Sequence, residues 1–374
     1  MTNWQTKKLG ETLTIRHGRN QREVEIPDGA YPILGTGGQI GRTNTYLYDK
    51  PSVLIGRKGT IDKPRYMDAP FWTVDTLFYS EIEPENSPKF LYYVFKTINW
   101  QRYNEASGVP SLSASTISSI KINIPEKPEQ ERIVGVLEVW DEYIEKLEQK
   151  IALKEQLKKG LMQQLLTGKR RLPGFEGDWQ KLKLSDIAKI RKGTQLNRST
   201  LSENMAGLNK YAVINGGITP SGYTDTMNTK AGAITISEGG NSCGYVNYIK
   251  KDFWLGGHCY EIINNQKVDQ IYLYPFLKAN QSKIMSLRVG SGLPNIQKSS
   301  LENLKVLLPE TKKEQEDLGL IMLHSVTEIE QLSEKLQIMK LQKKYLLKNL
   351  ITGTIRTPED LQPLDTSRLE RSAL

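Results

Sequence analysis

The chain has 374 residues, of which 38% are hydrophobic, enough for two or three domains with ordinary apolar cores. Its 51 lysines and arginines exceed its 42 acidic residues, and the net charge of +9 weakly favours an anionic partner. Two cysteines exclude a disulfide framework, and the absence of a long apolar run or a leader-like start predicts a cytoplasmic protein without membrane association.

The first part of the chain, residues 1–128, mixes short β-rich runs with Gly, Asn and Pro turns. Residues 52–55 and 121–124 have the composition of strands, and residues 88–100 can form a helix. This mixture predicts a compact α+β domain.

A long helix is predicted over residues 129–168. Its apolar residues recur at steps of four and three, which is the seam of a coiled-coil helix, and the span ends on a glycine. At 1.5 Å per residue such a helix reaches roughly 57 Å, so we interpret it as a spacer. The predicted seam residues are Ile133, Leu137, Trp140, Ile144, Leu147 and Ile151.

A second α+β domain is predicted over residues 169–313, entered through a short basic linker at 169–178. A second coiled-coil helix follows over residues 314–353, and the charged residues 354–374 are predicted to be a poorly ordered tail. The second seam consists of Leu318, Met322, Ile329, Leu332, Leu336 and Met339.

The two halves are one unit written twice. Glu129 and Gly168 correspond to Glu314 and Gly353 at the same offset (314 − 129 = 353 − 168 = 185), whereas Gly18 corresponds to Gly193 at an offset of 175. The helices have therefore kept their length while the domains accepted insertions. If the seams pair, the helices run antiparallel, with the domains at opposite ends about an approximate two-fold axis.

These features resemble the specificity subunits of type I restriction-modification systems. The resemblance covers nearly the whole chain. It rests on a set of motifs that occur in the same order in both halves. They are a Trp-Gln-x-x-x-Leu start, a Ser-Gly-x-Pro segment before a strand ending in proline, a Glu-Gln-x-x-Ile/Leu helix entry and a Leu-Leu/Ile-Thr-Gly exit.

The resemblance implies a fold of two target recognition domains, each reading one part of a bipartite sequence in double-stranded DNA, separated by the antiparallel helices. It also implies a non-catalytic chain without a cofactor of its own. Its partners would be two modification subunits, which bind S-adenosylmethionine and methylate adenine, and restriction subunits, which use ATP with Mg²⁺.

The residues support this interpretation independently. Two similar domains about a two-fold axis match the dyad of duplex DNA, on which equivalent groove faces recur every ~34–36 Å. Because the domains differ in sequence, we expect an asymmetric target whose unread gap is set by the helices. Apolar residues off the seam, Val134, Val136, Ile321 and Val326, would be partly exposed in a bare pair of helices. We therefore expect the helix entries with the adjacent domain to dock the modification subunits.

Polar and basic side chains suited to DNA occur at matching places in the two halves. Arg, Asn and Gln can pair with guanine or adenine edges, and Lys and Arg hold phosphates. The candidate DNA-contacting residues are Arg19, Asn20, Gln21, Arg22, Arg57, Lys58, Lys63, Arg65, Arg102, Arg191, Lys192, Gln195, Asn197, Arg198, Asn241 and Arg288.

Each candidate has a simpler interpretation. The simpler interpretation of the segments that carry these residues is a solvated loop. The Ser-Gly pairs at 107–108 and 291–292 fit a turn before the last strand. Cys243, His258 and Cys259 give at most three ligands without a close cysteine pair, so no metal site is expected, and a partly buried Cys and His fit better. Trp4, Trp140 and Trp179 are expected to pack in the interior.

Two other functions compete with DNA recognition. A methyltransferase or nuclease is disfavoured, because the chain has no Asn/Asp-Pro-Pro-Tyr/Phe loop, no Gly-x-x-x-x-Gly-Lys-Ser/Thr loop and no carboxylate cluster on a strand. A non-catalytic coiled-coil adaptor that binds only protein explains the helices but not two similar basic domains.

Overall fold

The structure, a computed structural model, describes residues 4–166, 171–290 and 292–361. The chain divides into two units: unit 1 comprises Met1–Glu148 and Lys335–Leu374, and unit 2 comprises Gln149–Glu334. Each unit therefore contains one domain and a segment of each long helix.

The domain of unit 1 consists of nine strands and two short helices, built mainly on a four-stranded sheet in the order β2-β8-β5-β6. A three-stranded sheet β4-β3-β7 and a two-stranded pair β1-β9 complete it. The elements are β1 (Gln5–Lys8), β2 (Leu13–Arg16), β3 (Tyr31–Gly35), β4 (Gly38–Thr43), β5 (Ser52–Gly56), β6 (Arg65–Met67), β7 (Trp72–Thr73), β8 (Leu77–Ile82), α1 (Pro88–Thr97), α2 (Ala114–Ser119) and β9 (Lys121–Ile124).

Helix α1 packs its apolar face onto this sheet. Its start is defined by the Ser87 hydroxyl, which accepts from the Phe90 backbone N–H, and by Pro88 in the first turn. Phe90, Leu91 and Phe95 are fully buried in the same core as Val53 of β5. The predicted strands at 52–55 and 121–124 and the predicted helix at 88–100 are confirmed.

The domain of unit 2 repeats this topology. Its sheets have the orders β11-β17-β14-β15, β13-β12-β16 and β10-β18, which match those of unit 1 strand for strand. The elements are β10 (Gln180–Lys183), α4 (Leu184–Ile187), β11 (Ala188–Lys192), β12 (Tyr211–Ile214), β13 (Tyr223–Thr224), β14 (Ala233–Ser237), β15 (Val246–Ile249), β16 (Phe253–Leu255), β17 (Cys259–Asn264), α5 (Gln270–Ala279), α6 (Gln281–Met285), α7 (Lys298–Glu302) and β18 (Lys305–Leu308).

Two long helices, α3 (Lys127–Leu165) and α8 (Lys312–Ile351), follow the two domains. In unit 1, Asp141 of α3 pairs with Lys343 of α8, and Glu148 pairs with Lys340 at 2.6 Å. The partner number falls as the α3 number rises, so the two segments are antiparallel. The Glu148–Lys340 pair is about half exposed and contributes little, ~0.2–1 kcal/mol; the buried apolar residues hold the pair together.

The helix segments in unit 2 are packed in the same way. Lys154 of α3 pairs with Glu328 of α8 at 2.7 Å. Leu318 and Met322 of α8 are buried in the domain core together with Met162 of α3. The helices thus belong to the cores of the domains they follow, and the predicted α+β fold with two long, packed helices is confirmed.

The twelve predicted seam residues are all buried or half-buried, Trp140 among the half-buried ones. The expectation that Val134 and Val326 are partly exposed is wrong, since they are 4% and 3% exposed. That expectation treated the helices as a bare pair, whereas the domain covers one side of each entry, and Val134 lies in the domain core. Ile321 does remain exposed.

The chain after α8 continues to contact the domain of unit 1 as far as Thr357 at least. Arg356 pairs with Glu129 at 2.6 Å, and Thr357 is buried. The first part of the predicted tail therefore belongs to the domain, whereas residues 362–374 lie outside the described residues.

Candidate nucleic-acid interface

The candidate residues of unit 1 cluster at one edge of its main sheet. β2 and β5 each pair antiparallel with β8, so they run in the same direction and end at the same edge. β6 pairs antiparallel with β5 and begins there. We call this edge the loop edge; it carries the first loop, residues 17–24, and the second loop, residues 57–64.

Both loops of unit 1 are fastened to the connection between β7 and β8. The Arg19 backbone N–H donates to the Thr73 carbonyl at 2.8 Å, and the Arg57 backbone N–H donates to the Thr76 carbonyl at 2.8 Å. The Trp72 indole N–H donates to the Arg19 carbonyl at 3.0 Å. These bonds hold the two loops in fixed positions beside each other.

Gly18 allows the first loop to approach this connection. A Cβ at Gly18 would lie 2.1 Å from the Val74 carbonyl oxygen, and one at Gly193 would lie 2.2 Å from the Gly256 carbonyl oxygen. Any larger residue would push the loop off the sheet edge. The same close approach therefore explains both glycines of the repeat.

The second loop of unit 1 also pairs with the Ser-Gly-x-Pro segment. The Gly59 N–H donates to the Pro110 carbonyl at 2.9 Å, and the Leu112 N–H donates to the Arg57 carbonyl at 2.9 Å. Arg102 lies in a short 3-10 helix just before this segment. A third connection thus joins the loop edge.

Unit 2 has the same loop edge, with its first loop at 193–201 and its second loop at 238–245. The Thr194 N–H donates to the Leu255 carbonyl at 2.9 Å, and the Glu238 N–H donates to the His258 carbonyl at 2.9 Å. The Trp254 indole N–H donates to the Thr194 carbonyl at 2.8 Å. Trp72 and Trp254 therefore hold the first loop of their units through the same hydrogen bond.

The charge of the second loop differs between the units. Where unit 1 has Arg57, unit 2 has Glu238, which directly follows the equivalent strand β14 and is only 14% exposed in its side chain. Glu238 accepts from Lys192 at 2.7 Å and from the Tyr260 hydroxyl at 2.9 Å, with the His258 ring 4.0 Å away. Burial, followed by the bond to Glu238, raises the pKa of Tyr260. The two edges thus share a frame but offer different chemistry.

Most of the predicted side chains are exposed, although Lys192 among them is paired with Glu238. Those that are exposed are Arg19, Asn20, Arg22, Lys58, Lys63, Arg102, Lys192, Gln195, Asn197, Arg198, Asn241 and Arg288. Gln21, Arg57, Arg65 and Arg191 are half-buried.

Arg57 is partly anchored, since its Nε donates to the Asp75 carbonyl at 2.7 Å. Two further half-buried arginines stabilise their own domains. Arg65 donates to the Gly35 and Thr36 carbonyls, and Arg191 donates to Glu261 at 2.6 Å and Thr229 at 2.7 Å. Their guanidinium groups are already satisfied, so we assign them to loop support. Sequence reasoning did not select Trp72 and Trp254, although their recurrence at one place in both repeats was a usable signal.

The expectation of a partly buried cysteine and histidine is wrong. Cys243 and Cys259 are buried free thiols, while the His258 side chain is 65% exposed. Burial raises the pKa of Cys259 to about 12, so the thiol remains protonated. Within residues 4–166, 171–290 and 292–361, no group of three or more His, Cys, Asp or Glu side chains is placed to hold a metal.

Comparison with known proteins defines the family. The model of the type I restriction modification DNA specificity domain matches residues 1–159 and 176–349, so this chain belongs to that family. A crystal structure of a type I restriction-modification S subunit from M. genitalium superposes with a TM-score of 0.75 at 21% identity, covering 94% of this chain and 96% of that one. The shared fold therefore spans both units.

Sequence relatives agree with this assignment over part of their length. A Mycoplasma pneumoniae protein assigned as a type I specificity subunit is 32% identical over 171 residues, which is 45% of this chain and 44% of that protein. The specificity subunit of the MjaVIII enzyme of Methanocaldococcus jannaschii is 26% identical over 283 residues, 67% of this chain and 66% of that one. The chain thus spans less than half of the first relative. No helix in the described part of the chain is long and apolar enough to cross a membrane.

Proposed function

We propose that this chain is the non-catalytic DNA-recognition subunit of a type I restriction-modification complex. Each unit reads one half of an asymmetric, bipartite target through its loop edge, and the long helices set the unread gap. The observation that carries the proposal is the repetition of one rigid loop edge with different charge, Arg57 in one unit and Glu238 in the other. Two loop edges with the same backbone arrangement can contact equivalent groove faces of duplex DNA. Their different side chains can then recognise two different half-sites.

Two modification subunits are proposed to bind where the helices enter the domains. In support, unit 1 has a groove of ≈ 580 Å³ between α1 and α3, lined by Tyr66, Tyr92 and Tyr93 on one side and by Glu138 and Glu142 on the other. Such an acidic, aromatic surface repels DNA phosphate and suits a protein partner. S-adenosylmethionine would be bound by these partners, and ATP with Mg²⁺ by restriction subunits.

A direct binding experiment tests the proposed function. The chain with its modification subunits is expected to bind its bipartite duplex far more tightly than a duplex with both half-sites scrambled, by about 10³-fold or more. Equal binding to both duplexes would overturn DNA recognition in favour of a protein-only adaptor. Methylation profiling of a genome carrying the complete system identifies the duplex to use.

Replacing Arg19 with alanine is expected to weaken reading of the first half-site alone. If Arg19 contacts a base, the loss is ~1–3 kcal/mol and the preference relaxes at one position of that half-site. Titration of duplexes with single-base changes measures this. Lys50→Ala is the matched control, because Lys50 is exposed but precedes β5 at the opposite end of the strand. An equal loss on every sequence would make Arg19 a phosphate contact instead.

Replacing Trp72 with phenylalanine is expected to loosen the first loop of unit 1. The change removes the indole donor from the Arg19 carbonyl and keeps most of the ring packing, at a cost of ~1 kcal/mol. Faster amide exchange in residues 17–24 and weaker binding of the first half-site are the expected results. Trp254→Phe should do the same for the second half-site only, and a matching effect of either change on both half-sites would contradict the assignment.

A further inference from the structure

Each unit contains an arginine clamp, made of one arginine, one buried glutamate and one tryptophan. In unit 1, Arg356 Nε and Nη2 donate to the two carboxylate oxygens of Glu129 at 2.6 and 2.7 Å. The Arg356 guanidinium also lies 5.6 Å from the centre of the Trp4 ring. The Glu129 side chain is 1% exposed, so the paired arginine is what makes this buried charge tolerable.

The clamp of unit 2 has the same parts. Arg171 Nε and Nη2 donate to the two carboxylate oxygens of Glu314, both at 2.8 Å, and the guanidinium lies 5.8 Å from the Trp179 ring. Glu314 is likewise 1% exposed. The arginines are separated by the same 185 residues as the glutamates (356 − 171 = 314 − 129), so the clamp belongs to the repeat.

Each clamp ties together three parts of its unit. The glutamate lies in the first turn of the helix that leaves the domain, and the tryptophan immediately precedes the first strand. The arginine follows the end of the other long helix, which arrives at the domain. The clamp therefore joins both helices to the start of the domain's first strand through one buried carboxylate.

The two clamps differ in how they are secured. In unit 2, only seven residues separate Arg171 from Trp179. The Trp179 indole donates to Glu314 at 3.3 Å, and Arg171 also donates to the Glu176 carbonyl at 3.0 Å. In unit 1, Trp4 and Arg356 come from opposite ends of the sequence, and the Trp4 indole N–H has no hydrogen-bond partner within the described residues. We therefore expect the clamp of unit 1 to depend more on its arginine than the clamp of unit 2 does.

We propose that Arg356 and Arg171 are positioning residues for DNA recognition, which rests on the function proposed above. Each arginine fixes the orientation of a domain on the two helices. The complex therefore methylates only targets whose half-sites are separated by the correct gap. Each guanidinium is engaged by a buried carboxylate beside the first strand of its domain, so we assign neither arginine a role in reading bases. Loss of the clamp should relax the gap preference and leave the base preference intact.

The test measures methyl transfer by the complete complex with its modification subunits. The substrates are duplexes with the natural gap, with gaps one base pair shorter and longer, and with the natural gap and single half-site changes. Arg356→Gln and Arg171→Gln remove the bidentate ion pair. Arg356→Lys keeps the positive charge but cannot donate two parallel hydrogen bonds to the carboxylate. Lys340→Gln is the control, because it breaks an exposed ion pair of the same unit.

Arg356→Gln is expected to lower the preference for the natural gap by about tenfold, since a small misplacement far from the chemistry can cost up to ~100-fold. Arg171→Gln is expected to lower it less, Arg356→Lys to be intermediate, and Lys340→Gln to leave it unchanged. If Arg356→Gln does not fold, Arg356→Lys carries the test.

Two results would overturn the clamp proposal. One is an unchanged gap preference in the arginine variants. The other is an equal loss of methylation on every duplex, which would make the clamp only a stabilising contact. Failure of the proposed function is a distinct outcome, because the unaltered complex would then show no preference for any bipartite duplex.

Discussion

Four residues inserted into each long helix are expected to lengthen the preferred gap by one or two base pairs while both half-sites stay the same. The insertions belong between Glu148 and Gln149 in α3 and between Ser333 and Glu334 in α8. These sites correspond at the repeat offset of 185; the first is the unit boundary in α3, and the second lies one residue before the boundary in α8. Four helical residues add ~6 Å, compared with ~3.4 Å per base pair. A four-residue insertion is also one that a coiled coil accommodates by local unwinding.

Methylation of a set of duplexes that differ only in gap length measures this change. An insertion in α3 alone is the informative comparison, because it leaves the two helices unequal and should reduce activity on every gap. Substitution of the exposed residues Glu155 and Gln156 by alanine controls for sequence changes on the helix surface. An unaltered gap in the doubly lengthened protein would show that the helices do not set the spacing.

The fold was predictable because its main signals are periodic and occur twice. The spacing from Ile133 to Ile151 specifies a helix, and the constant offset of 185 residues shows that both helices have one design. The end of the domain was harder to predict. Nothing in the composition of residues 354–361 distinguishes them from a charged tail. The pairing of Arg356 with Glu129, 227 positions away in sequence, and the burial of Thr357 show that this segment packs on unit 1.

The sequence selected residues that the structure brings to the loop edges, but it did not give the structural role of each one. Arg19 lies in the loop after β2 and is exposed, whereas Arg191 lies within β11 and is held by Glu261 and Thr229. Their difference depends on strands that are distant in the sequence, so a local pattern of arginines cannot separate them. Val134 shows the same limit, because its burial depends on a domain packed against the helix.

A protein with two copies of the first domain is expected to recognise a symmetric target. The change replaces residues 179–323 by residues 4–138, from the tryptophan of the clamp to the equivalent point in the helix. Because the two domains share one topology, the copied domain can take the same place on the helices. Both loop edges then present Arg57 and the same first loop, so the second half-site should become an inverted copy of the first.

Methylation profiling with this duplicated protein is expected to give a two-part palindrome that shares its first half with the natural target. At natural target sites, whose second half no longer matches, methylation should fall by at least about 10³-fold, since several mismatched base pairs each cost ~1–3 kcal/mol. Exchange of residues 1–128 for the domain of a relative is the control, and it should change the first half-site only. If that exchange altered both half-sites, reading would be a joint property of the two domains, and the modular scheme would have to be abandoned.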